Sequence, residues 1–195
     1  MRETELKYRT KAEEISEAVN HSFYNPDNNT YIDSKQTHLV LPLIAGVVPK
    51  NDISKVETKL KEEIIVSQNG HFDTGIHGTY FLVKYLTENY HHDLLYTLAS
   101  QTSYPSYGEI IERGEITWPE YWSECNSRVH GCLNGIGGWF QRGVLGIQLD
   151  PKKVGYKEFI VKPAFHDSLQ WAKGHHVSSY GKINVSWVKT DEDYL

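Results

Sequence analysis

The hydrophobic period of this chain changes at about residue 150. Before that point apolar residues recur at helical spacing, in segments separated by short loops. Beyond it they alternate in runs of a few residues. A chain ordered this way is expected to be mainly α, with paired antiparallel helices followed by a few antiparallel β-strands. Residues 1–149 and 150–195 are the expected parts, with Asp150–Lys153 as the boundary. Residues 3–20 put Leu6, Ile15, Ala18 and Val19 on one side of a helix and Lys and Glu on the other, and the NPDNN cluster at 25–29 turns the chain. A helix is predicted at about 36–46, where Pro42 requires a kink or a late start. Another at about 52–66 has Val56, Leu60, Ile64 and Ile65 as a buried stripe. Others follow at about 77–89, 91–101 and 128–142, with one short helix in SYGEIIER. KEFIVKPAF, LQWAKGHHVSSYG and KINVSWVKT read as strands, too few for a sheet that is stable alone.

Composition narrows the function. Hydrophobic residues make up 39% and charged residues 23%, which fits a packed globular chain rather than a disordered one. The net charge is −5 and no basic run or basic helix face occurs, so no nucleic-acid partner is expected. No stretch approaches the ~20 apolar residues of a membrane span. The N-terminus MRETELKYRT has no apolar core of a signal peptide. A cytoplasmic address is expected if Met1 is native, and a periplasmic or secreted one if the chain is a piece of a longer protein. Cys125 and Cys132 flank His130 without a second cysteine pair, so a disulfide or two idle thiols is expected rather than a metal. No cofactor is implied. The chain has 13 Tyr, 5 Trp and 10 His but a single Met, a bias toward aromatics with polar tips that suits half-wet surfaces such as sugar clefts.

The stretch TWPEYWSECNSRVHG, 117–131, concentrates that bias. Glu120 stands between Trp118 and Trp122, beside Tyr121, and His130 follows after a short polar run. A carboxylate among indoles loses hydration, a setting suited to proton transfer, and indole faces stack on the C–H side of sugar rings. Ordinary hydrophobic plugs beside a solvated loop carboxylate fit the same residues. Four loops share this character: DSKQTH (33–38), GHFDTGIHG (70–78), the long loop 103–122 and SRVHG (127–131). In a fold of paired helices such loops gather at the ends of the bundle, where sites form.

Several segments, taken in order, resemble the bacterial α-L-rhamnosidases of glycoside hydrolase family 78. TYIDSKQTHLVLPLIAGVVP resembles the family's helix with a Ser/Thr-Gln-Thr entry. NGHFDTGIHGTYFLVKYL resembles its Thr-Gly-x-x-Gly-Thr loop and helix. SYPSYGEIIERGEITWPEYW resembles its Tyr-Pro-Ser segment and the run that ends in Trp-Glu. SRVHGCLNGIGGWFQRGVLGI resembles its Asn-His-x-x-x-Gly-x-x-Gly-x-Trp helix. The segments after 150 resemble the start of the family's C-terminal β-sandwich. The resemblance implies part of an (α/α)6 barrel and inverting cleavage of terminal L-rhamnose. It implies Glu120 as general base and His130 as a rhamnose contact. Trp118, Trp122, Tyr121, Asp73 and Tyr107 are the further residues expected to contact substrate.

The departures are specific. Pro119 stands where the family has Trp, Val129 replaces its Asn, and the loop from Glu120 to His130 is short. Nothing before residue 20 resembles the segment that carries the family's general acid. An inverting glycosidase needs two carboxyls roughly 6.5–9.5 Å apart. The chain therefore reads as half a barrel with the base but not the acid. A homo-oligomer, or association with a missing N-terminal half, is expected, with Leu39, Leu43, Leu82, Leu94 and Leu98 as the apolar side chains left open. A non-catalytic carbohydrate-binding remnant is a second reading. Another (α/α) sugar hydrolase or lyase is a third. A metal hydrolase built on His71, His77, His91 and His92 is more remote.

Overall fold

The computed structural model describes residues 2–123, 126–191 and 193–194. Seven α-helices precede the longer strands: α1 (Arg2–Phe23), α2 (Gln36–Ala45), α3 (Ile53–Glu62), α4 (Gly78–Glu88), α5 (His92–Ala99), α6 (Tyr107–Glu112) and α7 (Gly135–Trp139). The strands pair two by two, all antiparallel: β1 (Tyr24–Asn25) with β2 (Thr30–Tyr31), β3 (Ile147–Leu149) with β4 (Phe159–Val161), and β5 (Trp171–Ser178) with β6 (Gly181–Val188). No described helix is long and apolar enough to cross a membrane.

α4 is the axis of the helical part, packing on α2, α5 and α7. Its Leu82, Val83 and Leu86 meet Leu39, Val40 and Leu43 of α2 and the leucines of α5 in one core. α2 begins at Gln36 despite Pro42 and ends in the left-handed Gly46, whose N–H bonds the Leu43 carbonyl. The expected stripe on α3 holds for Val56, Leu60 and Ile64, while Ile65 is exposed because the helix widens into a π-type turn over Glu63–Ser67.

Two expectations are corrected. Leu39, Leu43, Leu82, Leu94 and Leu98 are all buried, not open. Neighbouring helices of this same chain cover them, and each such burial contributes about 1.5–3 kcal/mol. Open apolar side chains do occur on α1, where Leu6, Tyr8, Ile15 and Phe23 are each more than half exposed. The second correction is the helix expected over 128–142. Residues 127–130 are irregular, a 3-10 turn covers Gly131–Leu133, and regular helix begins at Gly135. The cause is a competing pairing: the His130 N–H bonds the Trp118 carbonyl at 3.1 Å and draws this stretch alongside 117–120.

The expected boundary at residue 150 falls in the connection between paired β3 and β4. The β5–β6 hairpin alternates cleanly: Ala172, Ile183 and Trp187 point inward, Trp171, Lys173 and Val188 outward. Its inner face docks on the turn that follows α7. Trp187 Nε1 donates to the Val144 carbonyl at 3.0 Å, and Gly174 has no Cβ where Leu145 packs. Gly146 (φ 73°) is left-handed and lies against the Lys162–Pro163 backbone, with no room for a Cβ. Gly146→Ala should therefore lower stability by roughly 2–4 kcal/mol in a urea melt. Gly46→Ala, left-handed but facing open space, should lose only about 1 kcal/mol.

Candidate active site

The Glu120 loop is held by backbone and by aromatic packing. The Glu120 N–H donates to the Ser127 carbonyl at 3.1 Å, in line with the Trp118–His130 bond. Thr117 Oγ1 donates to the Arg128 carbonyl, and Arg128 pairs with Glu115. These ties bring 127–130 alongside 117–120. As a result His130 Nε2 lies 3.8 Å from Glu120 Oε1, and both side chains are about one-third exposed. The His130 Nδ1 lies 3.4 Å from Cys132 Sγ, and that thiol donates to the Glu120 carbonyl at 3.5 Å. Carboxylate and imidazole are thus adjacent, partly open to water, and fixed on a tied loop. This geometry suits holding and moving a proton beside a polar ligand.

Beneath them lies an aromatic floor. Trp122 stacks on Phe72 at 5.0 Å, and Tyr107 meets Phe72, Trp118 and Trp122 edge-on at 5.6, 5.0 and 5.1 Å. Trp122 is 6% exposed and Tyr107 4%. Their polar tips are committed: Trp122 Nε1 donates to the Thr74 carbonyl at 2.6 Å, and the Tyr107 hydroxyl donates to the Leu133 carbonyl at 2.8 Å. Burial pushes the Tyr107 hydroxyl well above the usual phenol range. These two, expected to contact substrate, are buried and pack beneath the loop. Trp118 is half-buried and, with His130, lines an open groove of about 370 Å³ rimmed by Ile111, Ile116 and Val129. Tyr121 is exposed.

Asp73 stands apart from this groove. Both its oxygens accept the Gln36 N–H, at 3.1 and 3.2 Å, so it caps α2 from another loop. Gln36 is fully buried and answers with its side chain, donating Nε2 to the His71 carbonyl at 2.7 Å and accepting the Asp73 N–H at 3.2 Å. Sequence reading flagged both loops but missed Gln36, because a glutamine in a polar loop looks solvated. Burial pushes the Asp73 carboxyl up to about 6, the charge of Glu63 adding to it, while the Gln36 N–H and Lys35 oppose. Among the histidines considered for a metal, His92 is buried, accepts from Trp139 Nε1 at 3.3 Å and is held below the usual histidine range mainly by that burial. His71 ties Ser103 at 2.7 Å and His91 lies 3.4 Å from Glu57. Among the described residues no three His, Cys, Asp or Glu side chains converge as metal ligands. Cys125, expected to be disulfide-bonded or idle, lies outside the described residues.

A family model of the bacterial α-L-rhamnosidase six-hairpin glycosidase domain matches residues 1–144, and one of the α-L-rhamnosidase C-terminal domain matches 146–195. The chain belongs to the bacterial α-L-rhamnosidase family. It is 31% identical over 190 residues to an α-L-rhamnosidase of Formosa agariphila, covering 92% of this chain and 20% of that protein. To one of Alteromonas sp. it is 29% identical, covering 96% and 21%. The solved α-L-rhamnosidase of Dictyoglumus thermophilum superposes with a TM-score of 0.82 at 28% identity, over 95% of this chain and 21% of that one. That of Streptomyces avermitilis, solved with L-rhamnose, gives 0.80 at 22% identity over 92% and 18%, and supports the fold. The chain spans about a fifth of the length of the curated relatives it matches. It is mainly α with few strands, as its place in a six-hairpin family requires.

The Asp73 carboxyl titrates higher in the folded chain than in an unfolded one. Its contribution to stability is therefore full below about pH 4 and is lost as pH rises through about 6. Relative to Asp73→Asn, the parent chain should lose on the order of 1–3 kcal/mol between pH 4 and 7, read from urea melts at the two values. Gln36→Leu, which orphans the His71 carbonyl and the Asp73 N–H, should cost roughly 2–4 kcal/mol at any pH in the same assay.

Proposed function

We propose that this chain is the base-bearing part of an α-L-rhamnosidase-type glycoside hydrolase, acting on terminal L-rhamnose with inversion. The observation that carries this reading is the Glu120–His130 pair, 3.8 Å apart on a tied loop beside an open groove. Glu120 is the general base: its carboxylate takes a proton from the attacking water. His130 orients that carboxylate and hydrogen-bonds a sugar hydroxyl, while Trp118 and Tyr121 border the ring. Trp122 and Tyr107 hold the loop in place from below, and Asp73 fixes the start of α2. The general acid comes from a segment outside this chain. The apolar side chains exposed on α1 support association with a second copy or with the part of the barrel that carries the acid.

α-L-Rhamnosyl fluoride separates base from acid, because fluoride leaves without being protonated. The chain alone should turn over the fluoride slowly and aryl rhamnosides hardly at all. Glu120→Gln should lower fluoride turnover by ~10²–10⁴-fold. His130→Ala should weaken L-rhamnose binding, measured by titration calorimetry. Ordinary turnover of an aryl rhamnoside by a clean monomer of 22.4 kDa in light scattering would sink both the truncation and the missing acid. Rhamnose binding with no fluoride turnover would favour the carbohydrate-binding remnant.

A further inference from the structure

A second groove, of about 400 Å³, lies between the tip of the β5–β6 hairpin and the segment leading into β4. It involves none of the Glu120 loop. Its lining combines three aromatic rings, Tyr156, Phe159 and Tyr180, with Lys157, Lys182 and Asn184. Phe159 and Tyr180 are 43% and 65% exposed, an apolar surface that solvent meets directly.

Tyr156 is held in place at a conformational cost. It is left-handed at φ 64°, directly after the left-handed Gly155 at φ 68°. A non-glycine residue there is strained and persists only where its surroundings hold it. The hold is visible. The Tyr156 ring lies 4.1 Å from that of His176, and His176 Nδ1 is 2.8 Å from Gln141 Nε2 on the turn after α7. The helical part thus fixes the ring from below. On the opposite wall, the Tyr180 N–H donates to Ser178 Oγ at 3.1 Å and that hydroxyl donates to the Gly181 carbonyl at 3.0 Å, setting the hairpin tip.

The charge is one-sided. Glu158, the nearest acid in sequence, is taken by Lys153 at 2.8 Å. Among the described residues, Lys157 and Lys182 have no carboxylate partner. Two unpaired ammonium groups beside fixed aromatic faces, on a chain of net charge −5, select a ligand with an apolar face and a negative charge. Aromatic rings stack on the C–H face of a pyranose, and the lysines meet its acidic group. We propose that this groove binds acidic saccharides, sugar chains carrying carboxylate groups, as a site separate from the Glu120 cleft.

The probe is a tetramer of galacturonic acid, with maltotetraose as the uncharged control, titrated into the ¹⁵N-labelled chain. Shifts confined to 155–159 and 178–184, present with the acidic tetramer and weak or absent with maltotetraose, are the expected result. Lys157→Gln with Lys182→Gln should weaken binding about tenfold and remove most of its salt dependence. Tyr156→Gly keeps the left-handed backbone at ease, so it should bind more weakly while melting no earlier than the parent chain. Glu120→Gln should bind the tetramer as the parent does, which keeps this test independent of the proposed activity. Three results would overturn the proposal: no shifts at millimolar tetramer, equal binding of maltotetraose, or these residues being covered by a second copy in the free protein.

Discussion

Four consecutive residues, His71 to Thr74, tie this fold together. His71 and Asp73 meet the start of α2, while Phe72 and Thr74 meet Trp122. The His71 carbonyl and the Asp73 N–H hold the buried Gln36 amide at the start of α2. Phe72 supplies the ring on which Trp122 stacks, and the Thr74 carbonyl takes the Trp122 indole N–H. The Thr74 hydroxyl reaches Thr79 at the start of α4 at 2.9 Å. Two helix starts and the Glu120 loop are thus set by one short strip of chain. Gln36, Thr74 and Thr79 are buried, and a buried polar group without a partner costs more than the bond it makes is worth. The strip is therefore specified tightly although none of its members is proposed to touch a reacting atom.

The order of helices and strands was legible because it rests on periodicity. Val56, Leu60 and Ile64 recur at helical spacing, and the β5–β6 hairpin alternates as its sequence does. The stretch 128–142 misled because Gly131, Gly135, Gly137 and Gly138 leave helix and loop close in energy. There a distant partner, the Trp118 carbonyl, decided the conformation. β3 was hidden for a related reason: three residues are too few to display a period, and their strand character comes from β4.

The site was legible in part. Glu120 and His130, both singled out in the sequence, are neighbours, but the residues around them divide in a way that residue type does not reveal. Trp118 lines the groove and Trp122 is buried, although both are indoles two positions either side of the same glutamate. What separates them is the Thr74 carbonyl, a backbone group 48 residues away, which no local pattern announces. The same holds for the leucines expected to be open. Their helices find partners within the chain, whereas α1 keeps Leu6, Tyr8, Ile15 and Phe23 exposed.

The junction between helices and strands has a consequence for how such chains can be rearranged. Its contacts cluster at Val144, Leu145 and Gly146, which grip Trp187, Gly174 and the Lys162–Pro163 backbone. The connection between β3 and β4, by contrast, is exposed and contributes little packing. Recombination that exchanged the strand region at residues 144–146 would cut through an interlocked surface and demand that both sides change together. An insertion in 151–154, which is exposed, would disturb little packing. Modularity in this fold therefore follows the packing of side chains rather than the point where helix gives way to strand.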